Sequence, residues 1–226
     1  MTPVNIVKNV EVKLYPELLH IGPIVISSFG VMMVIAFLFC NFLLKKEMIN
    51  AGLDGMIADE LTIRAVIGGI VGAKLYYIIE NIPNGSLGDS LDGIVNVIAG
   101  IFTLNISIIA EGIQYIGAGL VFYGGLIGGM LAITMYLRQN NLRWFNTADW
   151  VAPYLALGQG IGRIGCFLVG DDYGKPTDSW IGIAFPQGIP PTNFPVYPTQ
   201  LFEMSAYFLI FIYLRLTRNN ENNEGN

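Results

Sequence analysis

Long apolar runs punctuate this chain, and they limit what it can fold into more than any other feature. Ile24 to Leu44 carries no charged residue and is closed by the pair Lys45-Lys46. A second run covers roughly Leu61 to Ile82, a third about Tyr115 to Leu137, a fourth about Thr147 to Val169 and a fifth about Thr199 to Leu216. Each approaches the ~20 residues that a helix needs to cross a hydrocarbon layer. The runs are continuous rather than alternating, which selects helices over the strands of a barrel. The chain reads as a membrane protein.

Composition agrees. Of 226 residues, 53% are hydrophobic and only 13% charged, against about 25% charged in an ordinary soluble domain. The expected fold is an all-α integral membrane protein: a bundle of about five transmembrane helices plus short interfacial or re-entrant helices. One transmembrane domain over 1–217 is expected, followed by a disordered polar tail over 218–226. The net charge of −5 comes without a basic stripe, so no nucleic acid partner is expected. His20 is the only histidine, which removes His-based metal sites and Ser-His-Asp triads. Cys40 and Cys166 lie far apart in apolar segments and imply no disulfide framework. No metal site and no cofactor is expected, and the Gly-Gly runs sit inside spans rather than in nucleotide-binding turns.

The segments between spans carry weaker signals. Residues 1–20 lack a charged stretch followed by a cleavable apolar core, so they read as an ordered or interfacial lead-in, not a signal peptide. Leu18, Leu19 and Ile21, with the turn at Gly22-Pro23, place a short amphipathic piece at the surface. Between Pro83 and Gln114, the apolar stretch Ile94 to Ile109 is short and broken by Gly100 and Asn105, which predicts a re-entrant or interfacial helix. Basic residues orient the bundle. With five spans, Lys45 and Lys46, Arg138 and Arg143, and Arg215 and Arg218 share one side, opposite Lys8, Lys13 and Lys175. The pairs mark the cytoplasmic side, with the N-terminus outside and the C-terminus inside.

Gly158 to Thr177 holds the chemistry. It sets a permanently charged side chain, Arg163, near the outer end of the fourth apolar run, with glycines on both sides and Asp171, Asp172 and Lys175 in the turn after it. A charge at membrane depth costs at least about 2.5 kcal/mol. A guanidinium is a planar fork suited to phosphate, and glycines admit a head group or a neighbouring helix close to the backbone. The alternative is an arginine that snorkels to the interface or pairs with Glu203 to lock two helices. Lys74, deep in the second run, either lines the same cavity or pairs with an acid. Gly68 and Gly72 form a G-x-x-x-G pair suited to close helix packing.

Five segments together resemble one family. They are Tyr15-Pro-Glu-Leu-Leu-His-Ile-Gly-Pro-Ile with Ser28-Phe-Gly-Val-Met, Ile67-Gly-Gly-Ile-Val-Gly-Ala-Lys-Leu-Tyr-Tyr, Phe122-Tyr-Gly-Gly-Leu-Ile-Gly-Gly, Gly162-Arg-Ile-Gly-Cys-Phe and Tyr197-Pro-Thr-Gln-Leu-Phe-Glu. In this order, from Tyr15 to Leu216, they resemble prolipoprotein diacylglyceryl transferase of the bacterial plasma membrane. The resemblance implies transfer of diacylglyceryl from phosphatidylglycerol to the lipobox cysteine thiol of a prolipoprotein signal peptide, with glycerol 1-phosphate leaving. A cation must then hold the lipid phosphate and a base must take the thiol proton. Arg163 stands at the position assigned to the phosphatidylglycerol head group. Gly124, Gly125, Asp171, Lys74 and Glu203 are the further substrate-binding candidates, with membrane lipids around them.

The departures from the family pattern are specific. The catalytic histidine position before Gly-Gly-Leu-Ile-Gly is Tyr123, and a phenol is a weak base at neutral pH. Tyr123 is either the proton acceptor or an aromatic packed on the glycine face. Phe29 replaces a tyrosine, Cys166 an asparagine and Asp171 a glutamate. The family's further span with a second arginine is replaced by a polar tail. These departures keep open a non-catalytic relative that binds lipid, or a transferase with a different acceptor. A small anion transporter is a third reading, disfavoured because no inverted repeat is visible.

Overall fold

A computed structural model describes residues 10–11, 14–21, 24–82, 86–117 and 119–218. Among them the chain forms seven helices and four short strands. Contacts divide it into two compact units, one comprising Met1–His20, Val25–Leu44 and Asp149–Asn226, the other Ile21–Ile24 and Lys45–Ala148. Lys8, Lys13 and the tail beyond Arg218 lie outside the described residues.

The first unit is built around α6 (Trp144–Val169), with α1 (Ser28–Asn50) and α7 (Thr199–Thr217) beside it. Glycines on α6 set the spacing. A Cβ on Gly158 would lie 3.6 Å from Cys40 Sγ, one on Gly162 3.7 Å from Met33 Sδ, and one on Gly165 3.2 Å from Phe29 Cα, so these three face α1. Gly160 turns towards α7, where a Cβ would come within 2.5 Å of the Phe208 ring. Small residues on one helix thus let two others approach it.

A non-helical cap follows α6. Gly170 ends the helix in the left-handed region at φ +74°, its N–H bonded to the Cys166 carbonyl at 2.8 Å, a conformation that glycine adopts without strain. The cap has its own small core of Leu14, Phe185 and Val196, with Phe167, Tyr173 and Ile183 packed against it. Tyr173 stacks on Phe185 at 5.6 Å between centroids, and Phe167 meets the same ring edge-on. Strand β1 (Val10–Glu11) pairs in parallel with β4 (Ile183–Ala184). Strands β2 (Glu17–Ile21) and β3 (Ile24–Ser27) form a second small sheet. The expected amphipathic piece at Leu18 and Leu19 is therefore a strand, and the first helix begins at Ser28 rather than Ile24.

The second unit centres on α2 (Met56–Glu80) and α5 (Phe122–Gln139), packed backbone to backbone. A Cβ on Gly68 would sit 2.7 Å from the Gly128 carbonyl oxygen, and one on Gly72 would collide with the carbonyl of Gly124. The expected G-x-x-x-G pair is a packing face. Helices α3 (Ser86–Phe102) and α4 (Ile106–Gly117) form a hairpin in place of a single short helix. Asn105 starts α4 by accepting the Ser107 N–H at 3.0 Å on its side chain, the usual work of an N-cap asparagine. Tyr115 belongs to α4, so the third long apolar run is two elements and α5 starts only at Phe122.

Among the described residues two helices, α1 and α2, are long and apolar enough to cross a membrane.

Candidate active site

Two separated segments converge at the C-terminal end of α6. In the first, Arg163 is two turns from the helix end and Gly170-Asp171-Asp172 makes the exit turn, with Asp172 at φ +54°. In the second, Pro198 precedes α7 and Thr199, Gln200 and Glu203 occupy its first turns. Spacing of one and four residues puts them on neighbouring faces of the helix start. Thr199 Oγ1 donates to the Asp172 carbonyl at 2.5 Å, and Gln200 Nε2 donates to the Asp171 carbonyl. The turn is thus held by α7 through its backbone, which leaves the Asp171 and Asp172 side chains to do other work.

Arg163 lies within this frame with its side chain 25% exposed. Its Nη1 donates to Asp172 Oδ2 at 2.7 Å, and its Nε pairs with Glu203 Oε2 at 2.6 Å. Cys166 Sγ is 3.7 Å from Nη1 and 3.8 Å from Asp172 Oδ2. A guanidinium has five N–H donors in a rigid fork. Nη2, one arm of that fork, has no hydrogen-bond partner among the described residues. The two carboxylates differ in exposure: the Asp172 side chain is 63% exposed and that of Glu203 44%.

Burial raises the Asp171 carboxyl above its ordinary range, and the charge of Asp172 adds to the rise, while Cys166 and Arg163 oppose it. Cys166 Sγ and one carboxylate oxygen each from Asp171 and Asp172 lie within 4.8 Å of one another, a spacing that could hold a metal ion. The guanidinium, bonded to Asp172, already puts a positive charge against this trio. The cluster is therefore an ion-pair network.

Of the residues singled out from sequence, Arg163, Asp171 and Glu203 come together here. Of the other catalytic and substrate-binding candidates, Lys74, Tyr123, Gly124 and Gly125 lie in the second unit. Lys74 Nζ donates to the Tyr115 carbonyl at 2.9 Å and sits over the Tyr77 ring at 5.3 Å. Tyr123, in the first turn of α5, is 67% exposed and meets Phe122 edge-on. Gly124 is buried against Gly72 and Tyr76 of α2, and a Cβ on Gly125 would sit 3.4 Å from the Gly69 carbonyl. Both glycines serve helix packing. Sequence reading missed three participants: Asp172 as a partner of Arg163, and Thr199 and Gln200 as the clasp on the turn. For Thr199 and Gln200 the available signal was their place in one short segment with Glu203; for Asp172 it was its place beside Asp171.

Known proteins share this chain's pattern over most of its length. The family model described as prolipoprotein diacylglyceryl transferase matches residues 16–226. A phosphatidylglycerol–prolipoprotein diacylglyceryl transferase of Clostridium tetani is 34% identical over 200 residues, covering 88% of this chain and 72% of the relative. One from Clostridium perfringens is 36% identical over 200 residues, covering 88% and 70%. One from Bordetella avium is 30% identical over 203 residues, covering 88% and 69%.

Proposed function

The chain belongs to the prolipoprotein diacylglyceryl transferase family, and from that premise we propose that it moves diacylglyceryl from phosphatidylglycerol to the lipobox cysteine thiol of a prolipoprotein, releasing glycerol 1-phosphate. The observation that carries the reading is the Arg163 guanidinium, oriented by Glu203 through Nε while Nη2 keeps two unengaged donors among the described residues. Those donors suit a non-bridging phosphate oxygen. As the bond between the glyceryl carbon and its oxygen breaks, charge gathers on the departing phosphate, and a guanidinium already in place stabilises it without reorganising.

The lipid phosphate meets a competitor in Asp172. With Asp172 and Glu203 both ionised, Arg163 is more than neutralised, so an incoming anion gains most by displacing one of them. Asp172 is the more exposed, its pair with Arg163 is correspondingly weak, and it yields first. Glu203 stays behind and keeps the fork aligned. On the acceptor side the thiol must lose its proton to become a nucleophile, and Tyr123 stands where the family has its histidine. The bundle of five spans, with the N-terminus outside and the C-terminus in the cytoplasm, belongs to the same proposal. It opens the Arg163 end of α6 towards the outer leaflet, where phosphatidylglycerol and secreted precursors meet.

A second reading, a relative that binds the lipid without transferring it, is favoured by the tyrosine at the histidine position. One experiment separates the two. The purified chain is incubated with phosphatidylglycerol and a lipobox peptide, and the peptide mass is read. A diacylglyceryl increment on the cysteine supports the transferase; an unmodified peptide with intact lipid binding supports the second reading.

A further inference from the structure

Helices α3 and α4 meet on small residues. A Cβ on Gly112 would lie 2.7 Å from the Gly93 carbonyl oxygen and from the Val97 nitrogen, and one on Gly100 2.6 Å from Ile109 Cγ1. With glycines in the seam, larger apolar side chains turn outwards: Ile94, Ile98 and Ile101 on α3 and Ile106 and Ile113 on α4 are all exposed. Exposure peaks at the tip of the hairpin, where Phe102 is 85% and Leu104 88% exposed. From Gly93 to Ala110 the chain has no charged residue. The charges that flank this stretch, Asp92 and Glu111, are exposed on the two limbs, away from the tip.

The tip asks for no polar partner. Thr103 N–H and Oγ1 both donate to the Ala99 carbonyl, at 2.9 and 2.8 Å. Leu104 N–H bonds to the Ile101 carbonyl at 3.3 Å, and Asn105 N–H to that of Gly100 at 2.9 Å. The Asn105 side chain accepts from the N–H groups of Ser107 and Ile108. Non-helical backbone enters hydrocarbon only when its polar groups are satisfied within the protein. Leu104 adds a second sign. It holds the left-handed position that ends α3, at φ +52°, where glycine or asparagine is usual. In water a leucine there is unfavourable for its backbone and again for its exposed side chain; lipid removes the second cost. A protein interface carries about one hydrogen bond per 100–200 Å², and the N–H groups of this turn are already engaged.

The bilayer is close at hand. Helix α2 is long and apolar enough to cross it. It ends at Glu80 and α3 starts at Ser86, a separation of at most about 20 Å. Depth follows from the limbs. Ile106 to Ala110 rises about 8 Å before Glu111, and the turn brings the uncharged length to about 10 Å. One leaflet supplies about 15 Å of hydrocarbon, half of a core about 30 Å thick.

We infer that the Phe102–Leu104 tip inserts about 10 Å into the leaflet at the C-terminal end of α2, with Asp92 and Glu111 left at the head-group layer. The hairpin is then an anchor in one leaflet, neither a span nor a free arm. The inference rests on α2 crossing the bilayer and is independent of the chemistry at Arg163.

The test uses the full chain carrying Cys40→Ala and Cys166→Ala, reconstituted in vesicles of phosphatidylcholine and phosphatidylglycerol. One nitroxide-labelled cysteine is placed at a time: Leu104→Cys at the tip, Glu111→Cys on a limb and Ile70→Cys within α2. Accessibility to oxygen, which concentrates in lipid, and to a nickel chelate, which stays in water, gives the depth of each label. The Leu104 label should be open to oxygen, shielded from nickel and about 10 Å deeper than the Glu111 label. A nickel-accessible Leu104 label would put the tip in water and overturn the inference. Shielding from both reagents, the mark of a protein partner or a second copy, would overturn it too, as would a Glu111 label equally deep in lipid. In each of these cases a lipid-buried Ile70 label leaves the span of α2 standing and sinks the anchor alone, whereas a nickel-accessible Ile70 label sinks both. Phe102→Cys repeats the tip measurement should Leu104→Cys fail to fold.

Discussion

If Asp172 competes with the lipid phosphate for Arg163, removing its charge should help the substrate in. Asp172→Asn makes that change with little else. Asparagine tolerates the left-handed backbone that residue 172 adopts at φ +54°, and the carbonyl that accepts from Thr199 stays in place. The side chain is 63% exposed, so its pair with Arg163 belongs with solvent-screened ion pairs worth about 0.2–1 kcal/mol. Releasing that competition should tighten phosphatidylglycerol binding by about 1.4- to 5-fold. Equilibrium lipid binding at low ionic strength is the assay. The gain should shrink as salt is added, because screening already weakens the pair in the wild type. An unchanged or weakened affinity would refute the reasoning, since Asp172 would then be part of the binding geometry rather than an occupant to be displaced.

Other perturbations probe the remaining parts of the structure. Tyr123→Phe should abolish transfer to a lipobox peptide while leaving lipid binding intact; an active phenylalanine variant would show that the phenol takes no proton. Gly128→Ala should destabilise the second unit by about 1–3 kcal/mol, the usual penalty for overpacking, because its Cβ would press on Gly72 and the Gly68 carbonyl. A wild-type Tm in that variant would contradict the backbone-to-backbone contact of α2 and α5. The raised Asp171 carboxyl means that the folded chain holds this proton more tightly than the unfolded chain. The stability it confers is complete below the unfolded value and is lost as pH rises through the folded one. Asp171→Asn cannot ionise and should remove that slope from the acid limb of a Tm–pH profile; superimposable profiles would count against the assignment.

How much of the fold was legible in the chain depended on the range of the interaction. Helices α1, α2, α6 and α7 follow from apolar runs ended by charges or by Gly170, though α1 runs six residues past its expected end and α2 starts five before its expected start. The third run misled, because Tyr115 to Val121 is as apolar as the helix beyond it and hydropathy cannot mark a break. Gly119, at φ +71°, is where the chain leaves one helix for another. Ile24 to Ser27 failed for a similar reason: three apolar residues and a serine beside a helix look like its first turn, yet they pair with β2. At the site, Glu203 could be named as the counter-ion of Arg163 because it is the one acid in the last apolar run. The bonds from Thr199 and Gln200 to Asp172 and Asp171 span 27 and 29 residues. No local pattern announces contacts at that range. The glycines after Tyr123 illustrate the reverse, residues whose conspicuous spacing is used for helix contact.

The central proposal is that one cation grips an anionic lipid. Phosphatidylglycerol affinity of the wild type and of Arg163→Ala, both checked for folding by thermal unfolding, addresses that without requiring catalysis. A folded Arg163→Ala chain should bind the lipid at least about tenfold more weakly, the loss expected of a charge-assisted hydrogen bond to phosphate. Equal affinity in the two chains would mean that Arg163 serves only to tie Asp172 and Glu203 together.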